Sequence, residues 1–123
     1  MSHNSHTYIL IQVVSDPTSY LFESPVSTSL KSKMNEKDVL FTVDNYSDSI
    51  SLSYIAELLK ASSVTIVCDI QSEKNLGKIA SILNRAVRHP DLKLFVNVEV
   101  PQLKPFMVQL AGSLFHDVDE IFI

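Results

Sequence analysis

Apolar residues in this chain come in compact blocks separated by polar stretches, and the blocks follow two rhythms. Five are short and rich in β-branched or aromatic residues: 7–14 (TYILIQVV), 38–44 (DVLFTVD), 64–69 (VTIVCD), 92–98 (LKLFVNV) and 119–123 (DEIFI). Near-continuous apolar runs of this length fit strands of a parallel sheet, which is covered on both faces. The stretches between them carry a helical period. Residues 73–88 show it best, with Leu76, Ile79, Ala80, Leu83, Ala86 and Val87 along one side. Leu52, Ile55, Ala56 and Leu59 predict a helix through about residue 61. Leu103, Phe106, Met107, Leu110, Ala111 and Leu114 predict the inner face of a last helix over 102–115, its start bracketed by Pro101 and Pro105.

The clearest unit is 64–100: strand, helix, strand, a crossover that makes its two strands parallel. Residues 15–38 are the hardest to read. Ser24-Pro25 pairs an N-cap with a proline at the first helical position, and Val26, Leu30 and Met34 recur every four residues, so a helix is expected over 25–36. The competing reading makes 19–22 a short strand and the rest a loop. The helix is preferred, because a structureless loop of that length is uncommon in a compact domain. Five strands alternating with four helices predict an α/β fold: a three-layer sandwich on a mainly parallel five-stranded sheet, with the flavodoxin-like order 2-1-3-4-5 favoured. There is no internal repeat, low-complexity tract or linker, so residues 1–123 read as one domain with a polar start at 1–6.

Composition narrows the function classes. Net charge is −4, which gives no general attraction to nucleic acid or anionic membrane. No apolar run reaches the roughly 20 residues that span a bilayer, and the first six residues do not read as a secretion signal. One cysteine, Cys68, lies inside an apolar strand and forms no internal disulfide, so a reducing, cytoplasmic setting is expected. Only two glycines occur, Gly77 and Gly112, both within expected helices. Dinucleotide and P-loop sites need glycines directly after a strand, and no G-x-S-x-G nucleophile elbow is present either.

The expected strand order points to one candidate site. In such a sheet the ligand crevice lies beyond the carboxyl ends of the strands. Those ends carry Ser15 and Asp16, Asp44 and Asn45, Asp69 and Gln71, Asn97 and Glu99. Asp16, Asp44 and Asp69 are therefore the candidate ligand or metal residues, since clustered carboxylates are relieved by a divalent cation such as Mg²⁺. The bland reading is that Asp and Asn collect after strands because they cap helices and start turns. The outline departs from a phosphoacceptor receiver domain at two positions: the fifth strand brings no lysine, and Glu99-Val100-Pro101 follows the fourth in place of a small hydroxyl residue.

Two further surfaces stand out. Lys74, Lys78, Ser81, Arg85 and Arg88 form a ridge on the helix over 73–88, usually the solvated face of an amphipathic helix and otherwise a site for an anionic partner. Residues 102–115 carry one charge, Lys104; Val108 and Phe115 lie off the apolar stripe, and Ile121 and Phe122 fall on an edge strand without proline or lysine. The leading expectation is a non-enzymatic interaction or regulatory protein that self-associates through 102–123 as a homodimer, needing no cofactor and binding neither nucleic acid nor membrane. The alternative is Mg²⁺-dependent phosphate handling or switching at the acidic cluster.

Overall fold

The computed structural model describes residues 6–16, 24–58, 64–74, 76–86, 92–111 and 115–117. The elements run β1 (Thr7–Val13), α1 (Pro25–Lys33), β2 (Val39–Asp44), α2 (Ser49–Leu58), β3 (Val64–Ile70), α3 (Leu76–Ala86), β4 (Leu92–Val98), a 3-10 turn (Pro101–Leu103), α4 (Lys104–Ala111) and β5 (Phe115–Asp117). All strand pairings are parallel, and the order is β2-β1-β3-β4, with the short β5 beyond β4.

Strand alternation sorts the side chains onto two faces. On one face Ile9, Ile11, Val13, Ile66, Cys68 and Leu94 form the larger core, covered by Ile55 of α2, Ile79 and Leu83 of α3, and Met107 of α4. The other face carries a smaller core in which Val26 and Leu30 of α1 pack on Leu10, Val67 and Phe95. Helices therefore lie on both sides of the sheet, three against one.

The register arranges the α1 face in three rows. Leu40, Tyr8, Thr65 and Lys93 form the row at the amino ends of the strands; Thr42, Leu10, Val67 and Phe95 form the middle row; Asp44, Gln12, Asp69 and Asn97 form the row at the carboxyl ends. An apolar band is thus bordered by polar rows above and below.

α1 forms where the cap signal placed it: the Ser24 hydroxyl accepts a hydrogen bond from the Ser27 amide at 3.1 Å, and Pro25 opens the first turn. It ends at Lys33 rather than 36, because the chain then turns through Asn35–Asp38, where the Asp38 carboxylate accepts the Asn35 amide. The strand considered at 19–22 lies outside the described residues.

The carboxyl-terminal region differs from expectation. α4 stops at Ala111, and Phe115–Asp117 is a strand paired with Leu94–Val96 instead of the last turn of a helix. Helical spacing of apolar residues cannot separate a longer helix from a helix followed by a strand, because Phe115 is apolar in either. The strand expected at 119–123 lies outside the described residues. Phe106 is 41% exposed, not on the inner face of α4; Met107 takes that place.

Candidate functional site

The carboxyl-end row is where the sequence pointed. Gln12 stands between Asp44 and Asp69 in register. At about 4.8 Å per strand, the Asp44 and Asp69 backbones are roughly 10 Å apart, with Gln12 on the strand between them. Each acid is committed. Asp69 is buried, and its two oxygens accept hydrogen bonds from the side-chain amides of Asn97, at 3.0 Å, and Gln71, at 3.2 Å. Asp44 closes its own turn: it accepts the Tyr46 amide at 2.7 Å, while its amide donates to the Ser47 hydroxyl at 3.0 Å. Asp16 is exposed on the loop after β1. Among the described residues no group of three or more His, Cys, Asp or Glu could hold a metal ion.

The acid that does approach Asp69 is Glu99. The Asn97 amide nitrogen donates to both, at 3.0 Å to Asp69 and 3.1 Å to Glu99. One neutral amide thus separates two carboxylates at the end of β4. Gln12 is 8% exposed between them and Asp44.

Asn45 organises the same rim. It is fully buried; its Oδ1 accepts the Val14 amide at 2.9 Å, and its Nδ2 donates to the carbonyls of Val14 at 2.8 Å and Lys74 at 2.9 Å. One side chain therefore joins the segments that follow β1, β2 and β3. Tyr46 adds a bond from its hydroxyl to the Ser15 carbonyl. These contacts make the rim a structural junction, the outcome that turn and cap chemistry favours for Asp and Asn after strands.

The other expected residues divide as follows. Lys74 is exposed; the side chains of Lys78 and Arg85, and the whole of Arg88, lie outside the described residues. Val108 is 42% exposed on α4. Phe115 is in β5 with its side chain outside the description, and Ile121 and Phe122 lie outside it altogether. Cys68 is wholly buried, and desolvation, with a smaller push from Asp69, raises its thiol to about 12, so it is no nucleophile.

Two features escape a reading of the linear sequence. One is an exposed apolar group beside β2: Ile50 is 80% exposed, Tyr54 52% and Val39 39%, with the Tyr54 ring edge-on to Phe41 at 5.4 Å. Ile50 falls outside the spacing of the α2 stripe, which is the one signal that marks it. The other is a cavity at the amino-end row, between α1 and the sheet. There the His6 Nε2 and the Thr65 hydroxyl are hydrogen-bonded at 2.5 Å, and the His6 ring stands edge-on to Tyr8. Desolvation and then Asp38 raise the Tyr8 hydroxyl above its ordinary pKa.

Comparison with protein-family models, curated proteins and solved structures finds no match. Among the described residues no helix is long and apolar enough to cross a membrane.

Proposed function

We propose that this protein is a non-enzymatic interaction domain that associates with a second copy of itself. The observation that carries the reading is the outer edge of β2. The amides of Val39 and Asn45 donate to His6 and Gln12, so odd-numbered residues turn their backbone groups toward β1 and even-numbered ones turn theirs outward. At the two ends of the edge the outward groups are already bonded: the Asp38 amide to the Asn35 carbonyl, and Asp44 to Ser47 in both directions. Among the described residues, Leu40 and Thr42 remain, each with an amide and a carbonyl facing outward.

An antiparallel two-fold pairing with Phe41 opposite Phe41 sets Leu40 of each copy against Thr42 of the other and uses these groups completely. Val39, Tyr54 and Ile50 extend the contact on the α2 side with apolar surface. Edge strands are usually guarded by proline, lysine or a bulge, and Val39–Asp44 contains no proline or lysine. The commitment of Asp69 to two amides and the burial of Cys68 favour binding over catalysis. A homodimer is the simplest closed assembly that such an edge can form.

Sedimentation across a concentration series tests this. A dimer is expected, and Thr42→Pro, which removes an outward amide of β2, is expected to give a folded monomer whose melting midpoint falls by no more than the lost association contributes. The pairing sets Asp38 against Asp44 of the second copy, so association should strengthen as salt screens the repulsion. A monomer at about 0.5 mM, a concentration that misses only dimers weaker than the millimolar range, would overturn the proposal. A dimer that survives Thr42→Pro and is lost in Phe106→Lys would move the interface to the surface of α4.

A further inference from the structure

A polar side chain sunk into a sheet normally finds a protein partner, and Gln12 does not. It is 8% exposed, on the α1 face of β1 with Tyr8 and Leu10, between Asp44 of β2 and Asp69 of β3. Among the described residues its side-chain amide has no hydrogen bond. Among them, too, no fully buried side-chain nitrogen or oxygen lacks a partner. The little surface that Gln12 keeps is therefore at its amide, which opens onto the carboxyl-end rim. In open parallel sheets that end is where ligands bind.

The groups around Gln12 are spent on one another in a lopsided way. Asp69 accepts the side-chain amides of Asn97 and Gln71, and Asn97 gives its second proton to Glu99. Carboxylates only accept, so these bonds fix which way both amides point. They consume N–H donors and leave acceptors over. Among the described residues the Asn97 Oδ1, the Gln71 Oε1, the second oxygen of Glu99 and the Gln12 Oε1 accept no hydrogen bond. Charge is one-sided as well. Asp44, Asp69 and Glu99 share this end of the sheet, and the basic residue of its described loops is Lys74, exposed beyond β3. Surplus acceptors in a negative setting call for a cation that carries N–H donors and no acceptor, which describes a guanidinium.

We propose that the carboxyl-end rim binds a small guanidinium compound, its donors shared among the amide oxygens of Gln12 and Asn97 and the carboxylate of Glu99. Gln12 and Asn97 stand one strand to either side of Asp69. A cation above Asp69 therefore has an amide oxygen on both sides, and the buried carboxylate adds its charge from beneath without being touched. The contacts come from β1, β3 and β4, so the site does not depend on the pairing of β2.

The test is a titration of methylguanidinium chloride into the isotopically labelled chain at constant ionic strength, read by the amide shifts of Gln12, Asn97 and Glu99. Saturable shifts at these residues are expected. Tetramethylammonium, which has the charge without N–H donors, and urea, which has the donors without the charge, should each bind about tenfold more weakly. Gln12→Leu keeps the volume and removes the amide. Its melting midpoint should equal or exceed the parent's, since no protein hydrogen bond is lost, while affinity for methylguanidinium falls about tenfold. Glu99→Gln, exposed and still able to accept the Asn97 amide, should melt like the parent and bind about tenfold more weakly. Absence of saturable shifts up to about 50 mM, shifts clustered on another surface, or equal binding of tetramethylammonium would overturn the proposal. So would tighter saturation of the same residues by Mg²⁺, or undiminished affinity in either variant.

Discussion

Single side chains at the carboxyl-end rim have effects larger than their size. Asn45 satisfies Val14 in both directions and the Lys74 carbonyl, so Asn45→Ala strands an amide and two carbonyls in or near the interior. An unsatisfied buried backbone group costs about 1–3 kcal/mol, and not every orphan here is fully dry. A loss of roughly 3 kcal/mol and a fall in Tm of about 10 °C are expected in a thermal melt. Cys68 gives a pH signature. Its folded thiol is raised to about 12 from an ordinary value of 9.0, so the neutral form is favoured in the fold. The associated stability is fully present below pH 9 and declines as pH rises through the window to 12, because the unfolded thiol ionises first. By about pH 10 the loss should be of order 1 kcal/mol, measurable as the difference between urea midpoints of the parent and Cys68→Ala. Thiol reagents at pH 8 should label Cys68 only after unfolding.

At the scale of elements, α1 and β2 carry the most information. α1 is poor in strong helix formers and depends on its amino-terminal cap and its packing. Ser24→Ala is expected to cost about 1 kcal/mol, seen as a small drop in the denaturation midpoint. The loss should add to that of Asn45→Ala if the two sites do not share a partner. Recognition of α1 from sequence rested on Ser24-Pro25 and the fourfold spacing of Val26, Leu30 and Met34, which is local information. The end of α4 was not legible in the same way. Phe115 directly follows the helical stripe without belonging to it, and its place in a strand depends on pairing with Leu94–Val96, a contact some twenty residues distant.

For the whole molecule, the distribution of helices is what creates the candidate sites. Among the described residues three helices share one face and α1 packs on the other. The α1 face carries a polar row at each end, with the cavity at one and the amide-bonded acids at the other. Among the described residues the sheet ends on one side in β2, whose edge has two residues with outward backbone groups and is bordered by exposed apolar side chains. Neither surface corresponds to a sequence motif; both arise from what the topology leaves uncovered.

The sequence by itself determined the alternation of strands and helices and the parallel direction of β3 and β4; it favoured the order of the first four strands, which the structure then showed. These follow from apolar periodicity and from the geometry of crossovers, which act over short stretches of chain. It also placed Asp44 and Asp69 at strand ends, where the structure has them. Tertiary structure alone decided the partners of those acids. The register put Gln12 between them and brought Asn97 and Gln71 to Asp69, whose oxygens each accept an amide hydrogen bond. Likewise, only packing shows that Lys93 opens onto a cavity and that Phe106 faces outward. Charge and hydropathy are properties of a residue, whereas exposure and hydrogen-bond partnership are properties of what the rest of the chain brings to it.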